Sequence, residues 1–170
     1  MLSWSRQQKR QDFANLIRTH YYGNKKFAYV EEELIMKIKT ILVVEDNELN
    51  MKLVRGLIKI GKYRMLEATD AESGIQLIRE QRPDLVLMDI QLPGMDGLSA
   101  TKIITEDPSI KDIPIVALTS YAMQGDEEKA LAAGCRGYIA KPIETRKFLN
   151  TISQYLNGDK LQRQSRRDEI

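Results

Sequence analysis

From Thr40 onward, five short aliphatic runs alternate with stretches of helical periodicity, which restricts this part of the chain to repeated β-α units on a parallel sheet. The runs are "TILVV" (Thr40–Val44), "RMLEA" (Arg64–Ala68), "LVLMD" (Leu85–Asp89), "IVALT" (Ile115–Thr119) and "GYIA" (Gly137–Ala140). Four are close to unbroken apolar segments, the pattern of strands covered on both faces, while the second is more polar and suits a sheet edge. Leu49, Leu53, Val54, Leu57 and Ile58 recur at helical spacing, as do Ala71, Gly74, Ile75 and Ile78, and then Phe148, Leu149, Ile152, Tyr155 and Leu156. All three stripes are expected to face the core. Asn47 or Glu48 can cap the first helix, Asp126 is expected to cap a helix starting at Glu127, and Gly134 suits a left-handed C-terminal cap. Pro83 and Pro114 mark the entries to the third and fourth strands.

Right-handed β-α connections wind helices onto both faces of such a sheet. The expected fold is therefore a doubly wound α/β structure with flavodoxin-like strand order 2-1-3-4-5. In that order strands 1, 3 and 4 are neighbours, and ligands bind beyond the carboxyl ends of the strands near the switch point between 1 and 3.

The 170 residues suit one domain with short extensions. Residues 39–156 form the expected domain, residues 1–38 an extension that is partly helical or disordered, and residues 157–170 a polar tail. Within the extension, Phe13, Leu16, Ile17 and Tyr21 have helical spacing, and Met36 is an alternative start. No apolar run approaches the roughly 20 residues a membrane helix needs, and the N-terminus lacks the apolar stretch of a secretory signal, so the expected location is cytoplasmic. With Cys135 the only cysteine and His20 the only histidine, an internal disulfide and a Cys/His zinc site are excluded. Residues 39–156 carry 15 basic and 17 acidic side chains, a balance of −2, so the basic excess lies in the extensions. A nucleic-acid domain concentrates basic charge on its folded core. No direct DNA binding is expected, and the tail "NGDKLQRQSRRDEI" is too short and polar to fold as an output domain, so output is expected to pass through a protein partner.

The strand ends carry the chemistry. Glu45 and Asp46 follow strand 1, Asp89 ends strand 3, Thr119 ends strand 4 with Ser120 next, and Lys141 and Pro142 follow strand 5. Three carboxylates on one edge repel each other unless a cation intervenes. Mg²⁺ prefers oxygen ligands and takes one or two carboxylates with phosphate oxygens, so Glu45 and Asp46 are expected to hold it, directly or through water. Asp89 is then placed as a nucleophile toward phosphorus, with Lys141 and the Thr119 hydroxyl meeting the phosphoryl oxygens. An ionised carboxylate needs no general base. Taken singly, each feature has a plainer explanation: acid pairs are common in solvated turns and caps, Lys-Pro in turns, and threonine at strand ends. Their joint placement at the ends of consecutive strands is what singles them out.

At these residues the chain resembles the receiver domain of two-component response regulators over about Lys39 to Leu156, through "VVEDN", "PDLVLMDIQLPGMDG", "ALTSYA" and "GYIAKPI". "EDNELNMKL", "LMDIQLP", "GDEE" and "FLNTI" further resemble the DivK type of single-domain regulator, which acts in cell-cycle and polarity control. The resemblance implies that Asp89 accepts a phosphoryl group from a phosphohistidine on a sensor histidine kinase or histidine phosphotransfer protein. It implies that Glu45 and Asp46 are the acidic pair, with Asp89 and the backbone carbonyl of Gln91 as further metal ligands. Thr119 would be the switch hydroxyl, Tyr138 the switch aromatic and Lys141 the phosphate contact, and Pro142 would follow a cis peptide bond. Gln91 and Tyr121 would flank the approach of water. Such a protein is a switch acting through the face formed by its fourth helix, fifth strand and fifth helix, not an enzyme, although it assists its own phosphorylation and slow dephosphorylation. Two rival readings share the fold. A flavodoxin-like nucleotide binder wants a phosphate-cradling loop after strand 1, where Glu45 and Asp46 would repel the phosphate. An interaction domain that has lost phosphotransfer would not need Asp89, Thr119 and Lys141 together.

Overall fold

The computed structural model describes residues 38–120 and 126–157. Each aliphatic run forms a strand with the expected bounds: β1 (Thr40–Val44), β2 (Arg64–Ala68), β3 (Leu85–Asp89), β4 (Ile115–Thr119) and β5 (Gly137–Ala140). The helices are α1 (Glu48–Ile60), α2 (Ala71–Gln81), α3 (Gly97–Glu106), α4 (Asp126–Ala132) and α5 (Thr145–Leu156). All strand pairs are parallel, in the order β2-β1-β3-β4-β5. This is the doubly wound, flavodoxin-like order the sequence leads one to expect.

Successive side chains of a strand point to opposite faces, which explains why the inner strands are apolar throughout. Leu42, Val44, Val86, Met88, Ile115 and Ala117 pack with Ala71, Ile75 and Ile78 of α2 and Ala100 and Ile104 of α3. Ile41, Val43, Leu85, Leu87, Val116 and Leu118 pack with Met51, Val54 and Ile58 of α1 and Phe148 and Ile152 of α5. The sheet thus has a sealed core on each side. β2 lies at one edge, and its exposed Glu67 is gripped by both ends of the Arg55 guanidinium at 2.8 Å. β5 forms the other edge, with Tyr138, Ile139 and Ala140 half-buried, so only three strands are covered on both faces where four were expected.

The first helix departs from its expected stripe at two of five positions. Leu49 is 76% exposed and Leu53 40%, whereas Met51, which was not among the expected core residues, is buried beside Val54, Leu57 and Ile58. α1 carries two apolar stripes, and packing on the sheet can bury only one. The Asn47 side chain caps the helix by accepting from the N–H groups of Leu49 and Asn50 at 3.0 and 3.1 Å. The other two stripes face the core at Ala71, Gly74, Ile75 and Ile78 and at Phe148 and Ile152, with Leu149, Tyr155 and Leu156 half-buried against the same cluster. α4 includes Asp126 as its first residue, one position earlier than expected for a cap, and the cap's side chain falls outside the described residues. Gly134 lies in the left-handed region at φ +102°, and its N–H bonds to the Leu131 carbonyl at 3.0 Å, closing α4 as expected. The expectations for residues 1–37, Tyr121 and 158–170 also lie outside the described residues. Among the described residues, no helix is long and apolar enough to cross a membrane.

Candidate functional site

The register brings the expected residues to one edge. Leu42 is level with Val86 and Val44 with Met88, so β1 runs out beside β3 and delivers Glu45 next to Asp89. Asp89 pairs with Leu118 and Thr119 with Ala140, which sets Thr119 and Lys141 on the neighbouring strand ends. The Lys141 N–H donates to the Thr119 carbonyl at 2.6 Å, extending the ladder by one residue, and the Lys141–Pro142 peptide is cis, as the resemblance implied.

Lys141 sits at the centre. Its Nζ donates to Glu45 Oε2 at 2.5 Å and to Asp89 Oδ2 at 2.6 Å, while the Glu45 and Asp89 side chains are 1% and 4% exposed. Two nearly buried carboxylates therefore share one ammonium. The Gln91 N–H donates to the other Asp89 oxygen at 3.0 Å. The N–H of Asn47 and the side-chain amide of Asn50 both donate to Glu45 Oε1 at 3.2 Å. Among the described residues, no buried side-chain polar atom is left without a partner.

Electrostatics follow from this burial. Desolvation raises the Asp89 pKa above its ordinary value, the Lys141 ammonium and the Gln91 N–H pull it back, and the Glu45 charge pushes it up again. For Lys141, burial acts to lower the pKa, but its bonds to Asp89 and Glu45 outweigh that and hold it above the usual lysine value. Glu45, Asp46 and Asp89 each offer one carboxylate oxygen within 4.8 Å of the others, with Asp46 exposed to solvent. Three hard oxygen donors, one of them open to water, match what a small divalent cation such as Mg²⁺ accepts. Both Glu45 oxygens already have protein donors, which favours a part for Glu45 through water over direct ligation.

Two neighbours escaped the sequence analysis. Asn50 lies within the quoted "EDNELNMKL", where nothing marks it as a site residue, yet it grips Glu45. Gly97 opens α3, where its N–H donates to the Ile90 carbonyl at 3.0 Å, and a Cβ there would run into the Asp89 carbonyl oxygen. The close approach of α3 to the end of β3 thus depends on a missing side chain. Gly97 ends the quoted "PDLVLMDIQLPGMDG", where nothing gives it a role of its own. On the outer edge, Tyr138 is half-buried against the α2-α3 side of the core, and its hydroxyl pKa is raised first by the Glu127 carboxylate and then by burial.

A doubly wound sheet with acids and a lysine converging at its switch point defines a class, and comparison with known proteins places the chain within it. Residues 41–153 match the response regulator receiver domain, and the chain belongs to that family. It is 48% identical over 121 residues to the polar-differentiation response regulator DivK of Brucella anthropi, an alignment covering 71% of this chain and 98% of that protein. The DivK likeness read from the sequence therefore holds. Among solved structures, the receiver domain of a Pseudomonas aeruginosa sensor histidine kinase, described with a magnesium ion coordinated in its active-site cleft, is 34% identical. It aligns with a TM-score of 0.66 over 71% of this chain and 99% of that one. A CheY-like receiver protein from Methanospirillum hungatei is 26% identical, with a TM-score of 0.65 over 71% of this chain and 95% of its own. The flavodoxin-like nucleotide-binding reading has no support among these relatives.

Proposed function

We propose that this chain is a phosphorylation-controlled switch of a two-component phosphorelay, with Asp89 accepting a phosphoryl group from a phosphohistidine on a sensor histidine kinase or histidine phosphotransfer protein. The observation that carries this reading is Lys141 Nζ shared between Glu45 and Asp89 at 2.5 and 2.6 Å, with Asp46 alongside. An Asp89 oxygen attacks phosphorus, a P–O bond forms, the P–N bond breaks, and the imidazole leaves with the electron pair. Mg²⁺ held by Asp46, Asp89 and the Gln91 carbonyl, with Glu45 directly or through water, would supply positive charge against the phosphoryl oxygens, and the magnesium of the Pseudomonas relative supports that choice. Lys141 steadies the acceptor before transfer and can turn to a phosphoryl oxygen afterwards. Thr119, at the adjoining strand end, donates its hydroxyl to the new group. Tyr138 then fills the space that Thr119 vacates, biasing the α4-β5-α5 face toward one partner-binding state. The residues act as a cytoplasmic binding switch that contributes to its own phosphorylation and slow dephosphorylation, with a protein as its downstream partner.

Intact mass after incubation with acetyl phosphate tests the reading. We expect one added phosphoryl group in the presence of Mg²⁺, and none after chelation or in Asp89→Asn. No addition to a folded, Mg²⁺-binding chain by acetyl phosphate or a histidine donor would leave the degenerate interaction domain standing.

The exposed stripe of α1 bears on the donor. Leu49, Leu53 and Ile60 are 76%, 40% and 70% exposed, and Leu49 stands four residues after Glu45 at the start of α1; we therefore place the footprint of the phosphohistidine donor over Leu49. Leu49→Asp adds an acid to the first turn, where a helix tolerates it. We expect it to slow transfer from a phosphohistidine protein by about tenfold while leaving the acetyl phosphate rate as it was. Equal slowing with both donors would place the effect on the site itself.

A further inference from the structure

The binding of Glu45 to α1 points to a part for a side chain outside the expected site. We propose that Asn50 is a positioning residue, whose amide holds Glu45 so that its second carboxylate oxygen stays on Lys141 and the carboxylate keeps its place in the cluster with Asp46 and Asp89; this rests on the phosphoacceptor reading above.

Glu45 is 1% exposed, and its two oxygens have different partners. Oε2 faces inward to Lys141 at 2.5 Å. Oε1 faces α1 and accepts from the Asn47 N–H and the Asn50 amide, both at 3.2 Å. A carboxylate held at one oxygen by a single bond can pivot about it. Two donors on that oxygen, one from the cap of α1 and one from its first turn, remove the pivot and fix where Oε2 points. The turn is itself rigid, because the Asn47 side chain accepts from the backbone N–H of Asn50 at 3.1 Å. Asn50 is thus tied at its backbone to the cap and at its side chain to the acid. The partner also settles which way the amide lies, since a carboxylate accepts only from the nitrogen end. A glutamate has one more rotatable bond than an aspartate and loses more freedom when held, so it gains more from such a tether. Groups that orient metal-site acids from behind commonly affect affinity as ligands do.

Calorimetric titration of Mg²⁺ into the full chain, unphosphorylated, tests this. Asn50→Leu keeps the branched shape and removes the donor, and Asn50→Ala is the second variant should leucine disturb folding; thermal melts establish that each is folded. We expect Mg²⁺ affinity to fall about tenfold in either variant. The discriminating measurement repeats the substitution in Glu45→Asp, whose carboxylate stops one methylene short of Asn50. There the loss of Asn50 should change Mg²⁺ affinity by less than about twofold, because the residue it acts through is out of reach. Parent-like affinity in the single variants, or the same loss in both backgrounds, overturns the positioning role. A parent chain that takes up neither Mg²⁺ nor a phosphoryl group overturns the phosphoacceptor reading and this proposal with it. A parent that does both, while Asn50→Leu matches it, overturns the positioning role alone.

Discussion

Replacing Lys141 with methionine is expected to cost about 3–5 kcal/mol of stability and to lower the phosphorylation rate by orders of magnitude. The side chain is 11% exposed and is the ammonium shared by Glu45 and Asp89, themselves 1% and 4% exposed. Methionine fills the space but leaves two buried carboxylates facing each other with no positive charge between them. The pH dependence has a definite sign. Burial already raises the Asp89 pKa and the Glu45 charge raises it further, so without Lys141 the folded state binds a proton that the unfolded chain has released. Stability of the variant should therefore be best in acid and fall as pH rises above the ordinary carboxylate pKa of about 4. Added Mg²⁺ should restore more stability to the variant than to the parent, because it replaces the missing charge. Denaturant unfolding at several pH values, with and without Mg²⁺, reads all three effects. A variant as stable as the parent near neutral pH would mean that Lys141 does not neutralise the pair.

Gly97→Ala is the other substitution with a large expected effect. The added Cβ meets the Asp89 carbonyl oxygen, with the Asp89 carbonyl carbon at 2.8 Å and Met88 Cγ at 3.0 Å. Backbone at the end of a central strand cannot step aside as a flexible side chain can. The first turn of α3 must move outward or β3 must bend, and the second distorts the acceptor. We expect a loss of about 1–3 kcal/mol, seen as a Tm lower by roughly 5–15 °C, together with slower phosphorylation. Gly56→Ala is the matched control, since nothing lies within 4 Å of a Cβ there and the residue sits mid-helix in α1. It should stabilise the fold by about 0.5–1 kcal/mol. Opposite signs from the same chemical change would establish close approach, and not glycine content, as the cause.

The strands were legible because two-sided burial writes itself as an unbroken apolar run, and all five bounds agree with the sequence expectation. Strand order followed from the handedness of β-α connections, and β2 declared its edge position through Arg64 and Glu67. The face of α1 was legible only in part, since Val54, Leu57 and Ile58 are buried as expected while Leu49 and Leu53 are not. Periodicity reports that a stripe exists but not where its edge falls, and on α1 Met51 joins Val54, Leu57 and Ile58 in the core while Leu49 and Leu53 stay exposed. β5 misled for a different reason: its apolar residues half-cover an edge, which looks the same in sequence as full burial.

At the site, the acids and the lysine could be anticipated because parallel topology sends every strand's carboxyl end to one side. What could not be read is how they share partners. That Lys141 bridges Glu45 and Asp89, and that Asn50 reaches Glu45 from α1, depends on side-chain directions a few ångströms across. Gly97 was hidden because a glycine at a helix start looks the same whether it serves a turn or a close contact. Only the distance to Asp89 separates the two.

The most direct test of the central claim is to locate the phosphoryl group. An acyl phosphate is reduced by borohydride to the alcohol, so an aspartyl phosphate becomes homoserine, whereas phosphoserine and phosphothreonine are left as they are. Protein loaded from acetyl phosphate in Mg²⁺, reduced and then mapped by peptide sequencing, should carry homoserine at position 89 and nowhere else. Homoserine at position 46, or a phosphoryl group that survives reduction on Thr119 or Ser120, would contradict the assignment of Asp89 as the acceptor.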